Sequence, residues 1–69
     1  MKFRAFVRIL ESQGFALDRE RATHKQYRGM VDGRTRLVTV DYDQPGDDIP
    51  RRNLASMIRQ SGLPKRLFR

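Results

Sequence analysis

The stretch "RATHKQYRGMVDGRTRLVTVDY", residues 21 to 42, decides how this chain folds. Asp32 and Gly33 stand between two runs of β-forming residues. An Asp-Gly pair in that setting is a strong signal for a two-residue hairpin. One strand is expected from about Thr23 to Met30 and the next over "RTRLVTVDY". With only two turn residues the register follows. Val31 faces Arg34, Met30 faces Thr35, Arg28 faces Leu37, Gln26 faces Thr39 and His24 faces Asp41. Side chains alternate between the faces of a sheet. Tyr27, Val38 and Val40 therefore share one face, expected to be the core. His24, Gln26, Arg28, Thr39 and Asp41 share the other, open face. A one-residue slip would exchange the two sets.

Working outward, "FALDRER" places Phe15 and Leu17 on one side of a short first strand. Before it, Phe3, Phe6, Val7 and Leu10 form a helical stripe, so a helix is expected from about residue 2 to 13. Gly14 suits its C-terminal stop. After the hairpin, "DQPGDD" reads as loop, its aspartates suited to turns and caps. Pro50 suits the first turn of a second helix, whose apolar stripe is Leu54, Met57 and Ile58, and Gly62 ends it. The tail "LPKRLFR" is expected to add a turn that packs Leu63, Leu67 or Phe68.

The expected fold is α+β, in the order α-β-β-β-α, as one domain over residues 1–69. A three-stranded antiparallel sheet would carry both helices on one face. That is also the element order of the double-stranded-RNA-binding domain.

Composition narrows the function. The chain carries 15 Lys and Arg against 8 Asp and Glu, a net charge of +7. Twelve of the fifteen are arginine. The planar guanidinium fits phosphate and stacks on bases. The excess favours a polyanion, nucleic acid above an acidic protein or a membrane surface. The acids cluster, with Asp41, Asp43, Asp47 and Asp48 close together in the sequence. Their spacing does not match a calcium loop. There is no cysteine, which excludes disulfides, Cys-based zinc sites and thiol nucleophiles, and one histidine cannot build a multi-His metal site. No apolar run approaches a membrane span, and the charged start lacks the apolar core of a secretory signal. A cytoplasmic protein is expected.

His24 is the candidate catalytic residue, with Asp41 as its expected orienting partner across the ladder. An imidazole can take a proton from an RNA 2′-hydroxyl or give one to the leaving oxygen. Arginines nearby can offset charge on the phosphate. This chemistry needs no metal and no cofactor. It generally uses two proton-transfer groups. Lys25, Tyr27 or water would serve as the second, or His24 would act at both steps. Charge selects Arg4, Arg8, Arg19, Arg21, Lys25 and Arg28 as candidate RNA contacts. Two other readings use the same residues. One is an RNA-binding module without chemistry, and the other is a module whose basic surface docks on an acidic protein.

The chain resembles the HicA-type toxins, small mRNA interferases of bacterial type II toxin–antitoxin pairs. "VRILESQGF" is similar to the family's first helix and the Gly-Phe that leads into its first strand. "ATHKQY" followed by "DGR" is similar to its Gly-Ser-His strand and hairpin. "RRNLASMIRQSGLPKRLF" is similar to its closing helix. The resemblance implies a double-stranded-RNA-binding-like fold and ribosome-independent mRNA cleavage, with His24 as the catalytic strand histidine. It further implies a HicB-type antitoxin that covers the active site. Ala22 stands where the family usually has glycine, Thr23 where it has serine, and Lys25 where a second histidine is frequent. Alanine for glycine matters if the backbone there takes φ above zero.

Overall fold

In the computed structural model, which describes residues 1–69, Asp32 and Gly33 hold φ of 52° and 78°. Both values lie in the left-handed region, as a primed two-residue turn requires. The turn joins β2 (His24–Val31) to β3 (Arg34–Asp41). The ladder pairs Val31 with Arg34, Tyr27 with Val38 and His24 with Asp41, the expected register throughout. Ahead of them come α1 (Phe3–Ser12) and β1 (Ala16–Arg21). Behind them come α2 (Arg51–Ser61) and a 3-10 turn over Lys65–Phe68. The three strands are antiparallel in the order β1-β2-β3. The fold is α+β with the element order read from the sequence.

One face of the sheet is covered. Tyr27, Val38 and Val40 meet Phe3, Phe6, Val7 and Leu10 of α1 and Met57 of α2 in one core, closed by Phe15, Ile49 and Phe68. Phe6 stacks on Phe68 with ring centroids 4.9 Å apart, which locks the C-terminal turn onto α1. Burying one such side chain is worth about 1.5–3 kcal/mol. Gly29 lies on this face for a steric reason. A Cβ at Gly29 would stand 2.5 Å from the Phe15 ring. Leu17 does share Phe15's side of β1, but it is 47% exposed. β1 is an edge strand, and the register shifts between Leu17 and Arg19.

The start of α1 is satisfied by backbone. No side chain caps α1. Its first N–H groups are met by loop carbonyls, Phe3 donating to Asp47 at 3.0 Å and Arg4 to Pro45 at 2.9 Å. The aspartate loop is thus tied to the start of the chain, and Lys2 pairs with Asp48 at 3.6 Å. Pro50 is the N-cap of α2 and not its first helical residue. At the other end Gly62, φ 70°, makes the left-handed cap. No helix is long and apolar enough to cross a membrane.

Candidate active site

His24 opens β2 directly after the turn formed by Ala22 and Thr23. Ala22 holds φ of 54°. A residue with a Cβ pays about 1–2 kcal/mol there, which glycine would not. The turn at the histidine is therefore strained.

The ladder explains why His24 meets Asp41. The Tyr42 N–H donates to the Thr23 carbonyl at 3.2 Å, which marks the neighbouring pair as hydrogen-bonded. Pairs alternate along an antiparallel ladder, so His24 and Asp41 form the non-bonded pair, where side chains come closest. Imidazole Nε2 stands 3.4 Å from Asp41 Oδ2, and both side chains are more than half exposed. Nδ1 makes no side-chain hydrogen bond within the chain.

Two hollows flank the histidine. On the β1 side, Arg19, Arg21, Lys25, Gln26 and Thr39 join His24 in lining a small one of about 140 Å³. Arg19 pairs with Gln26 and Arg21 with His24, which fixes both arginines on the histidine's face. On the β3 side lies a cleft of about 520 Å³. Its near wall is His24, Thr39 and Asp41, and its far wall is Arg52, Asn53, Ser56, Arg59 and Gln60 of α2. α2 covers the core and also overhangs the sheet edge. The Thr39 N–H, which points out of β3, donates to Gln60 Oε1 at 3.1 Å and pins the helix there.

The expected RNA contacts divide between the two faces. Arg19, Arg21 and Arg28 share His24's face. Arg28 pairs with Leu37, farther along the strands and outside both hollows. Arg4 and Arg8 project from α1, which lies across the covered face. Lys25 alternates away from His24. Its ammonium donates to the Tyr42 carbonyl at 3.3 Å, sits 4.1 Å from the centre of the Tyr42 ring, and lies 3.8 Å from Glu20. Tyr27 is buried in the core, and burial, followed by the charges of Tyr42, Glu11 and Glu20, pushes its phenol above the usual range. Neither Lys25 nor Tyr27 shares a face with His24. The α2 wall has no counterpart among the residues selected by charge and strand register. Its only trace in the sequence is the seven-residue repeat of Arg52 with Arg59 and Asn53 with Gln60. No three His, Asp or Glu side chains converge to hold a metal ion.

The family model described as "HicA toxin of bacterial toxin-antitoxin" matches residues 3–63. The chain belongs to the HicA toxin family. No match was found among curated proteins or among solved structures. The match takes in the whole sheet, both turns beside it and α2, so His24, Asp41 and both walls of the cleft lie inside it. Membership assigns a toxin role and, with it, an antitoxin partner. HicA toxins are known in general for ribonuclease activity.

Proposed function

We propose that this HicA toxin is an endoribonuclease that cuts mRNA without ribosome, metal or cofactor, and that His24 moves the proton. The observation that carries this reading is the position of His24. It stands on the open face between two basic hollows, with a carboxylate 3.4 Å from one ring nitrogen. Nδ1 takes the proton of a 2′-hydroxyl. The freed oxygen attacks the adjacent phosphorus, and the bond from phosphorus to the 5′-oxygen breaks. The products are a 2′,3′-cyclic phosphate and a 5′-hydroxyl. The leaving oxygen takes its proton from the imidazolium or from water, since Lys25 and Tyr27 face away. Arg19 and Arg21 offset the phosphate charge, and Arg28 extends the basic face along the strands. Asp41, across the ladder, orients the ring. A HicB-type antitoxin in the same cytoplasm would silence the toxin by covering this face.

One observation favours a second reading. His24 is 63% exposed at its side chain, and Lys25 and Tyr27, the expected second proton-transfer groups, alternate to the other face. That would suit an RNA-binding module with no chemistry.

The test is cleavage of a labelled mRNA by purified protein in EDTA, with His24→Ala in parallel. Cutting by the wild type that the variant loses supports the nuclease. Equal RNA binding by both, with no cutting by either, supports the binding module and ends the catalytic reading.

A further inference from the structure

α2 brings a second set of cations to the histidine. Arg52 and Arg59 are seven residues apart, two turns of one helix. They therefore lie on the same side of α2, about 10 Å apart at ~1.5 Å rise per residue. Both are exposed, and neither has an acidic partner among the ion pairs of the structure. They face His24 and Asp41 across the cleft. Between and beside them stand Asn53, Ser56 and Gln60, whose amides and hydroxyl can meet the edge of a base. Gln60 already has its oxygen engaged by Thr39, which fixes how its amide is turned.

The cleft is open to solvent along one side and is large enough for part of a strand. A volume of about 520 Å³ is that of a small-ligand pocket. It has room for one nucleotide unit between its walls. Unpaired bases can be splayed into such a pocket, stacked on guanidinium planes and read along their edges. A free strand can also bring its 2′-oxygen into line with the leaving oxygen, which a regular A-form helix prevents.

We propose that the cleft between β3 and α2 takes one unpaired RNA strand, with Arg52 and Arg59 as its phosphate grips on the wall opposite His24. This rests on the ribonuclease reading for its consequence in cutting, but the binding stands by itself. The strand crosses the sheet from the Arg19 and Arg21 hollow, past His24, to α2. The fold's likeness to duplex-binding domains does not extend to the substrate.

The experiment measures binding of a labelled single strand, and of the same sequence as a full duplex, at several salt concentrations. The protein is His24→Ala, so that nothing is cut. It is compared with versions that also carry Arg52→Ala with Arg59→Ala, or Lys65→Ala with Arg69→Ala. The last pair removes the same charge from a groove on the other side of α2. Alanine is the best helix former, so α2 persists, and a melting curve on each variant verifies it. The α2 pair should weaken single-strand binding about tenfold or more and reduce the salt slope by about 1.4, the value for two lost phosphate contacts. The control pair should leave the slope nearly unchanged, and the duplex should bind more weakly than the strand. Equal losses from both pairs, or a duplex bound as tightly as the strand, would overturn the proposal. Cleavage by otherwise wild-type protein is scored separately. Tight single-strand binding through Arg52 and Arg59 without any cutting would remove the nuclease reading and leave the binding proposal standing. Cutting that survives Arg52→Ala with Arg59→Ala undiminished would do the reverse.

Discussion

His24 Nε2 lies 3.4 Å from Asp41 Oδ2, across the last pair of the β2–β3 ladder. Both groups are largely exposed, so the contact is worth about 1 kcal/mol at most. That limits how much Asp41 can contribute to catalysis. Asp41→Asn should lower kcat by at most about fivefold, leave KM unchanged and lower the melting temperature by no more than about 4–8 °C. His24→Ala should cost a factor of about 10² to 10⁴. Steady-state kinetics on both variants checks the pair. An Asp41→Asn loss that appears in KM would assign the carboxylate to substrate binding instead.

The turn before the histidine is strained. Ala22 sits at φ 54°, where glycine is at ease. Ala22→Gly should stabilise the fold by about 1 kcal/mol, after the glycine's own entropy cost. Urea unfolding reads this as a higher midpoint at constant slope. An unchanged or lower midpoint would show that the turn relaxes around alanine.

Gly29 illustrates the opposite case, a glycine required by packing. Its missing Cβ makes room for the Phe15 ring, which is only 3% exposed. Gly29→Ala forces that ring out of the core and should destabilise by about 1–3 kcal/mol. Thermal melting measures it. Gly29→Ala combined with Phe15→Leu should recover part of the loss, since the smaller side chain leaves space.

Tyr27 makes the fold sensitive to alkali. Its phenol is raised above the ordinary value of 10.0, chiefly by burial. The neutral form is the one the core accepts. Its contribution to stability is therefore complete below about pH 10 and is lost as pH rises through the folded-state value. Tyr27→Phe should remove this part of the alkaline decline. Parallel urea titrations of both proteins across that range isolate it, because the other titrating groups are common to the two.

Much of this was readable in the sequence, and the reason is local. Asp32-Gly33 permits one tight turn, and from that turn the period of two assigns every side chain of residues 24–41 to a face. The stripe of α1 was equally plain. Other features depend on how distant elements are placed. Arg4 and Arg19 look alike as charges, and only the packing of α1 on the covered face separates them. Leu17 shares a side with Phe15 but lies on an edge strand and stays half exposed. Asp48 was expected in a turn or cap and instead pairs with Lys2. The α2 wall was the least visible. Its polar repeat reads as a wet helical face until the helix is seen to overhang β3, and that position depends on Met57 in the core and on the bond between Gln60 and Thr39.

The two walls of the cleft come from separate stretches of chain. One hairpin makes the His24–Asp41 pair, and α2 supplies the other wall after a loop. A hairpin is built from local contacts, which form early and quickly, and a chain emerges from synthesis N-terminus first. A growing chain would thus present its histidine pair before it has the arginines opposite. The cleft is therefore complete only once α2 has been made and has packed beside β3.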